Sequence, residues 1–288
     1  MNEKKCILPP YIHQIWFNFN NNSLSSEHNN IIAHTFAFAN KYGFQYKLWS
    51  IEDAEKLIRE HYPYFLNFFN TSIKFSIIKC DFFRFLLMYH FGGIYLDLDF
   101  FSIRSFNELF INDTFTFYDI DNNKIVDKSK CKILLFEEWF NSSNIYDKYS
   151  TNGSFHNGIL CSIKKKEKLW MMLCKDIYMY GKNVKSNHDV WKVSGTNKLR
   201  NVFMQCNDPC YMFCKYFVSC PFRCISKVDD EIKECKSEQT IPNSLSSSRW
   251  MFYTFHFIEN LHDPKSFFDN SVAVCVSLSS GSLWREEK

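Results

Sequence analysis

Two acids interrupt a run of apolar residues in the stretch GGIYLDLDF, residues 92–100, and this stretch constrains the fold more than any other. An apolar run of this kind is typical of a buried strand. Asp97 and Asp99, however, carry carboxylates that are costly to bury unless positive charge or hydrogen bonds compensate them. The fold must therefore bring compensating groups to the end of this strand.

The first third of the chain alternates between strand and helix patterns. Ser25 or Ser26 can cap a first helix that Gly43 ends, and Ser50 with Asp53 resembles the cap of a second helix. Strands are predicted over Tyr11–Phe17, Phe44–Ser50 and Ile94–Phe100, and a long apolar helix over Ile73–Phe91, ended by Gly92 and Gly93. This order predicts an α/β fold, with helices flanking a sheet of mainly parallel strands. Ligands of such sheets bind beyond the carboxyl ends of the strands, where the two acids lie.

The second half of the chain is less regular. The sequence shows neither an internal repeat nor a clear linker that would divide the chain. A single domain is therefore predicted over residues 1–288. The charged, serine-rich stretch from Ser226 to Arg249 is predicted to be an exposed insertion. Further strands are predicted at Phe115–Tyr118, 155–163 and Trp250–Phe257, and further helices at Lys165–Tyr180 and from Thr196 onward.

Composition argues against several classes of protein. With 46% hydrophobic residues among 288, the chain can bury a sizeable core and is not globally disordered. Its formal net charge of +3 is too mild to predict binding to nucleic acid or to a membrane surface. No stretch offers ~18 consecutive apolar residues, so no membrane span is predicted. Because no secretory signal is recognisable, the predicted location is the cytoplasm.

Six of the 12 cysteines lie close together, between Cys206 and Cys235. None of them forms the CxxC pair that is typical of zinc ribbons. Pro209 argues against a regular helix that would align Cys206, Cys210 and Cys214 on one face. Buried thiols, a structural disulfide and a metal site are all open interpretations of this cluster.

The two acids of the strand have two physical interpretations. Acids two residues apart on a regular strand point the same way, and a divalent cation is the simplest partner for both. Hard oxygen ligands suit Mn²⁺ or Mg²⁺, and a diphosphate can complete the coordination shell. The alternative is a pair of acids that form salt bridges with a nearby Arg or Lys.

The helix before the two glycines carries polar residues within an otherwise apolar stretch. Asp81 and Arg84 lie three residues apart and are therefore neighbours on one helix face. An ion pair that only covers the helix explains them. Because the helix leads into the turn before Asp97, both residues are also placed to face the same cleft.

A resemblance to known proteins rests on three stretches of the chain, and two further stretches match the same family less closely. KCDFFRFLLMYHFGGIYLDLDF, residues 79–100, resembles the signature of the glycosyltransferases with a sugar-binding DXD region. These include yeast initiating α-1,6-mannosyltransferases, α-1,4-galactosyltransferases, capsular sugar transferases and, more distantly, the clostridial glucosylating toxins. YIHQIWF and FHNGILCSIKKKEKLW resemble the opening strand and a later strand of that family. The stretch Ser194-Gly195-Thr196 departs from the family's Thr-Gly-Pro, and one extra residue separates Ser282 from Trp284 in the family's terminal Ser-Trp.

The resemblance implies a GT-A type nucleotide-binding sheet in a single domain with acceptor-side elaborations. Nucleotide-sugar binding is expected mainly in residues 8–120, and acceptor-side and lid elements mainly in residues 150–288. The implied reaction is a metal-dependent transfer, with retention of configuration, from a UDP- or GDP-sugar to a glycan, lipid or protein acceptor. Mn²⁺ or Mg²⁺ is the implied metal. A degenerate nucleotide- or glycan-binding protein and a nucleotide-sugar hydrolase are the alternatives.

The resemblance also implies roles for individual residues. Asp81 and Arg84 would hold the donor sugar, and Asn157 would approach the donor or its leaving group. His256 has a second interpretation as a core histidine among aromatic residues. The implied sets are Asp81, Arg84, Asp97 and Asn157 for catalysis, Trp16, Asp81, Arg84, Tyr95, Asp97, Ser282 and Trp284 for the nucleotide sugar, and Asp97, Asp99 and His256 for the metal.

The C-terminal stretch SGSLWREE generates a testable prediction. A large aromatic residue, Trp284, ends a pliable Ser/Gly segment, so we expect this tail to order over a bound donor and to exclude water. Deletion of residues 282–288 should reduce transfer by about tenfold or more, or shift the products toward hydrolysis. The melting temperature without ligand should change little. Unchanged kinetics would show that the tail is only a frayed chain end.

Overall fold

The computed structural model describes residues 8–19, 24–102, 105–111, 116–119, 124–136, 155–214, 218–219 and 275–277. The helices in these ranges are α1 (Ser26–Tyr42), α2 (Ile51–His61), α3 (Ser76–His90), α4 (Glu108–Ile111), α5 (Lys168–Tyr180), α6 (Asn187–Val193) and α7 (Thr196–Cys206). The strands are β1 (Tyr11–Ile15), β2 (Gln45–Trp49), β3 (Gly93–Leu96), β4 (Phe100–Ser102), β5 (Phe117–Tyr118), β6 (Ile133–Phe136), β7 (Ile159–Ser162), β8 (Tyr211–Cys214), β9 (Val218–Ser219) and β10 (Cys275–Ser277).

The main sheet has the strand order β2-β1-β3-β7-β6-β8-β5. β1 pairs in parallel with β2 and β3, and β6 pairs in parallel with β8. The other three pairings, β3 with β7, β6 with β7 and β5 with β8, are antiparallel. The prediction of a mainly parallel sheet is therefore wrong. Helices α1, α2 and α3 separate the successive strands β1, β2 and β3, which pair in parallel, whereas β7 and β5 each run antiparallel to their neighbours in the sheet.

Helices cover both faces of the main sheet, which confirms the predicted α/β architecture. One buried cluster joins Tyr95 and Leu160 of the sheet to residues of α2, α3 and α5. The other joins Ile94 and Ile159, the neighbouring residues that point the opposite way, to residues of α1 and α4. None of the helices in the described ranges has the length and apolar character needed to cross a bilayer.

The helix boundaries at the start of the chain follow the predicted caps. The Ser25 hydroxyl accepts a hydrogen bond from the His28 amide at 3.3 Å, and Gly43 ends α1 in the left-handed conformation at φ 77°. Ser50 and Asp53 form a reciprocal capping box at the start of α2. Both predictions are confirmed. The sequence was sufficient to make them because each capping contact joins residues only three or four positions apart.

The two glycines between α3 and β3 allow a close approach of two strands. Gly92 and Gly93 adopt φ values of 67° and 88°. A Cβ atom on Gly93 would lie 2.5 Å from the carbonyl oxygen of Tyr11 on β1. His13 on the same strand lies 3.0 Å from the Gly92 carbonyl through Nε2, and the Trp49 indole donates to its Nδ1 at 3.2 Å. These contacts fix where β3, and therefore the two acids, sit relative to β1.

Some predictions about the second half fall on residues outside the described ranges, namely the insertion at 226–249 and the strand at 250–257. α7 ends at Cys206 and Cys214 ends β8, so these cysteines do not share a helix face. Cys206 and Cys210 carry free thiols. For these two members of the cluster, the structure therefore favours the thiol interpretation over a disulfide.

Replacing Gly93 by Ala should destabilise the fold by roughly 3 kcal/mol or more, because the new methyl group would meet backbone as well as an unfavourable φ. Gly43→Ala is the matched control, since that glycine also has positive φ but has nothing within 4 Å of an added Cβ. Gly43→Ala should lower the free energy of unfolding by about 1–2 kcal/mol. Urea unfolding measures both free energies of unfolding. Equal losses would show that the contact with Tyr11 does not constrain β3.

Candidate functional site

The two acids lie in a turn rather than on a single strand. β3 ends at Leu96, and the chain resumes as strand β4 only at Phe100. The Asp97 amide donates to the Gly158 carbonyl at 2.8 Å, and its own carbonyl accepts from the Phe100 amide at 3.2 Å. The prediction of a continuous strand from Ile94 to Phe100 is therefore wrong. A turn allows the two carboxylates to diverge and to serve different partners.

Arg84 of α3 connects the helix to the strand end. Its Nη2 lies 2.9 Å from Oδ1 of Asp81, and its Nη1 lies 3.3 Å from Oδ1 of Asp97. Nη1 also donates to the backbone carbonyl of Asn157 at 2.6 Å. The ion pair on the helix is therefore present, and the same guanidinium reaches the acid of the turn.

Exposure distinguishes the members of this network. The side chains of Asp81 and Arg84 are 2% and 3% exposed, whereas the side chain of Asp97 is 33% exposed. The Tyr95 hydroxyl donates to Oδ1 of Asp97 at 2.5 Å, and the Tyr95 ring centre lies 4.9 Å from the Arg84 guanidinium carbon. A ligand that approaches from solvent therefore meets Asp97 first, with Arg84 behind it. Direct contact of Asp81 and Arg84 with a donor sugar stays a prediction.

Burial and charge shift the pKa values of this network. Burial raises the pKa of Asp81 to about 6, although Arg84 and a hydrogen bond from Ser194 oppose the shift. Burial alone would lower the pKa of Arg84, but Asp97, Tyr95 and Asp81 raise it above its ordinary value. Burial also raises the pKa of Tyr95 well above its ordinary value, so its hydroxyl remains a neutral donor. At neutral pH the network therefore keeps a permanent cation at its centre.

Gly158 permits the approach of β7 to the turn. A Cβ atom at this position would lie 2.7 Å from Oδ2 of Asp97 and 2.8 Å from Cε2 of Phe100. The preceding residue, Asn157, supplies the carbonyl that Arg84 binds, and its side chain is partly exposed. The predicted Asn157 is thus beside the acid, although its observed contact with Arg84 is made through the backbone.

Two further residues hold the turn from β1 and β2. The Gln14 amide nitrogen donates to the Asp97 carbonyl at 3.3 Å, and the Tyr46 hydroxyl donates to Oε1 of Gln14 at 2.9 Å. Neither residue is among those predicted from the sequence. Gln14 stands out little there, because a second polar residue, His13, precedes it in the same strand.

Ser194 contacts the buried acid of the network, Asp81. Its hydroxyl donates to Oδ2 of Asp81 at 2.5 Å, and the side chain is fully buried. It belongs to the Ser194-Gly195-Thr196 stretch, which precedes and begins α7 and departs from the family pattern. Although this stretch departs from the family pattern, its Ser194 hydroxyl still contacts the buried carboxyl group of Asp81.

Trp16 follows the end of β1, at the same edge of the sheet as the turn, because β1 and β3 run parallel. Its ring centre lies 5.9 Å from that of His28. Three other residues named for the site, His256, Ser282 and Trp284, lie outside the described residues. The structure thus brings together Asp81, Arg84, Tyr95, Asp97 and Asn157, with Trp16 at the same sheet edge.

The donor set at the turn fits a hard divalent cation held only in part by protein. Within the described ranges, no group of three or more His, Cys, Asp and Glu side chains is arranged to hold a metal ion. The turn itself offers the carboxylates of Asp97 and Asp99, and Mg²⁺-like ions are commonly bound by one or two carboxylates together with substrate phosphates. The two carboxylates that contact Arg84 are those of Asp81 and Asp97, and only that of Asp97 is partly exposed.

Comparison with known proteins confirms the resemblance over the region that contains this site. Residues 17–116 match the model of a family described as a glycosyltransferase sugar-binding region containing a DXD motif. This range includes Asp81, Arg84, Asp97 and Asp99 but not Asn157 or Ser194. The match to this family model covers about a third of the chain, and it is the third that holds the acids and the arginine of the site.

Two curated relatives are yeast enzymes. Inositol phosphoceramide mannosyltransferase 1 of Schizosaccharomyces pombe is 33% identical over 92 residues, which cover 32% of this chain and 28% of the relative. Mannosyl phosphorylinositol ceramide synthase SUR1 of Saccharomyces cerevisiae is 41% identical over 56 residues, 19% of this chain and 14% of the relative. The aligned segments thus span less than a third of either relative. A solved structure, PaToxG glycosyltransferase, aligns with a TM-score of 0.43 at 14% identity over 69% of this chain and 70% of its own.

The raised pKa of Asp81 predicts how stability varies with pH. The folded pKa of about 6 exceeds the ordinary value of 3.8, so the folded chain binds this proton more tightly than the unfolded chain. The resulting stabilisation is fully present below about pH 4 and is lost as pH rises through about 6, by about 3 kcal/mol in total. Asp81→Asn should remove this loss, measured as the difference between the unfolding free energies of the two proteins across pH.

Asp189→Asn is the matched control for this experiment. Hydrogen bonds with Ser186 lower the pKa of the exposed Asp189. The stability that Asp189 contributes is therefore lost as pH falls, whereas the stability that Asp81 contributes is lost as pH rises. If Asp81→Asn leaves the pH dependence unchanged, Asp81 is held ionised by Arg84 over the whole range and the raised pKa is wrong.

Proposed function

We propose that this chain is a metal-dependent glycosyltransferase that moves a sugar, with retention of configuration, from a nucleoside diphosphate sugar to a hydroxyl acceptor. The observation that carries the proposal is the Asp81–Arg84–Asp97 network at the carboxyl end of β3. It lies inside the region that matches the sugar-binding family model. A buried guanidinium that presents a half-exposed carboxylate is suited to orient the hydroxyl groups of a bound sugar.

In this proposal, the carboxylate of Asp99 would be the protein ligand of the metal. The carboxylate of Asp97 already accepts from Tyr95 and contacts Arg84, so its oxygens are better placed to accept from hydroxyl groups of the donor. Asp99 lies two residues further along the turn, where it can diverge from Asp97. Mn²⁺ or Mg²⁺ would neutralise the negative charge that develops on the leaving diphosphate. His256 lies outside the described residues, so its assignment to the metal stays a prediction.

The contacts of Asp97 also bear on the stereochemistry of the reaction. A double displacement needs a carboxylate that is free to attack the anomeric carbon. Both oxygens of Asp97 lie within 3.4 Å of the Arg84 guanidinium, and one also accepts from Tyr95. Such a carboxylate is a weak nucleophile. We therefore propose that the acceptor hydroxyl attacks from the same face as the departing diphosphate, with the chain positioning both.

The donor and acceptor classes follow from the named relatives. Both are named for the transfer of mannose to an inositol phosphoceramide. We propose mannose from GDP-mannose as the first donor to test and the inositol group of a phospholipid as the first acceptor. The aligned segments are short, so glycan and protein acceptors and UDP-sugars belong in the same screen.

Asp99→Ala tests the proposal directly. Turnover with Mn²⁺ should fall by about a hundredfold or more, because the metal contact acts on the leaving group. Glu60→Ala is the control, since it removes an exposed carboxylate from α2, far along the chain from the turn. Full activity of the Asp99 variant, or of the wild type in EDTA, would contradict a metal on Asp99.

Product analysis separates the proposal from its alternatives. Formation of a sugar–acceptor product supports a transferase. Release of free sugar at the same rate with and without acceptor supports a nucleotide-sugar hydrolase. Donor binding without turnover, detected by a shift in melting temperature, supports a degenerate binding protein.

A further inference from the structure

Positive charge is concentrated in one segment of the chain. Between Lys164 and Arg200 the sequence carries ten Lys and Arg residues and three Asp and Glu residues, a net charge of +7. Because the whole chain has a net charge of +3, the remaining residues together carry −4. The mild average that argued against a membrane surface therefore conceals a strongly basic segment, which consists largely of α5, α6 and α7.

α5 has one apolar face and one face that carries lysines. Its buried residues are Leu169, Trp170, Leu173, Cys174 and Ile177. Lys168 and Lys175 lie two helical turns apart on the opposite, exposed side, and Lys182 is exposed just beyond the helix end. We call the exposed surface formed by Lys168, Lys175, Tyr178, Met179 and Lys182 the α5 face.

The acids of this segment do not neutralise the lysines of the α5 face. Asp176 pairs with Lys198 of α7, and Asp189 accepts from backbone and hydroxyl groups at the start of α6. Glu167 accepts from the Tyr211 hydroxyl at 3.0 Å. Across the described ranges, the ion pairs found do not include Lys168, Lys175 or Lys182. No acid in the described ranges therefore neutralises these three charges.

Large apolar side chains lie among these lysines. Met179 is 56% exposed and Tyr178 is 43% exposed. The Tyr178 ring rests against Phe65 of the core at 5.4 Å between ring centres, so its exposed part is fixed in place. Tyr64, which is 57% exposed, extends this apolar surface beyond α5. Tyrosine favours the boundary between water and lipid because its ring is apolar and its hydroxyl is polar.

We propose that the α5 face docks the protein on the surface of an anionic lipid bilayer. Lysines in this position contact lipid phosphates and carboxylates, while Met179 and Tyr178 enter the boundary between headgroups and acyl chains. The exposed side of a surface helix is convex, which fits a flat bilayer better than a groove that follows a nucleic-acid strand. Burial of a methionine side chain among apolar acyl chains also favours binding, whereas its contact with a polyanion in water favours binding little.

The same basic segment offers a second feature that suits lipid headgroups. Lys192 of α6 and Asn197, Arg200 and Asn201 of α7 line a cleft of about 360 Å³. Two cationic and two amide side chains can contact the oxygens of a phosphate. The proposal does not rest on the transfer reaction, because vesicle binding is measured without donor or acceptor.

Co-sedimentation with vesicles tests the proposal. The full chain should bind phosphatidylcholine vesicles that contain phosphatidylserine, should not bind vesicles of phosphatidylcholine alone, and should dissociate at high salt. The triple variant Lys168→Gln, Lys175→Gln, Lys182→Gln should bind more weakly by on the order of a hundredfold, because each lysine near an anionic surface contributes about fivefold. The control triple variant Lys41→Gln, Lys56→Gln, Lys130→Gln removes the same charge from other elements and should bind normally.

A second pair of variants tests the apolar part of the α5 face. Met179→Gln should weaken vesicle binding, whereas Ile125→Gln, at a site that is 72% exposed elsewhere, should not. Melting temperatures verify that all variants fold. Equal loss in both triple variants, or no binding to anionic vesicles, would overturn the proposal. Tighter binding to single-stranded RNA than to vesicles, lost in the α5 variants, would assign the face to nucleic acid instead.

Discussion

A single buried cation organises the site and much of the fold around it. Arg84 contacts acids on α3 and at the end of β3 and donates to a carbonyl just before β7, so it connects three parts of the chain. Burying such a charge is costly unless ion pairs and hydrogen bonds compensate it. The helix, the strand end and the approach of β7 therefore have to form together. The acid that remains accessible, Asp97, is held in one orientation by the same contacts.

The sheet places this network at an open edge. β1, β2 and β3 run parallel, so their carboxyl ends meet where the turn, Trp16 and the Gln14 contact are found. β7 runs the other way, so the chain just before it, at Asn157 and Gly158, meets the end of β3. Parallel and antiparallel pairing thus bring residues from both halves of the chain to one site. This arrangement suits a ligand with two parts, such as a nucleotide and a sugar.

Charge is distributed unevenly between the site and the rest of the molecule. Two acids, Asp81 and Asp97, contact Arg84 at the site, while the segment from Lys164 to Arg200 carries a net charge of +7. The acids of the turn are suited to a divalent cation and the positive segment to an anionic surface. A protein with this separation can bind a lipid surface through one region while its site binds a donor. Neither property is visible in the net charge of the whole chain.

The sequence by itself determined the features that depend on neighbours along the chain. The caps of α1 and α2, the glycine turn before β3 and the spacing of Asp81 and Arg84 on one helix face all involve contacts within a few residues. Only the tertiary structure decided the direction of β7, the end of β3 at Leu96 and the partners that complete the network. Arg84 meets the Asn157 carbonyl 73 residues away, and Ser194 meets Asp81 across 113 residues. Such contacts depend on strand register and helix packing, which no local pattern of residues specifies.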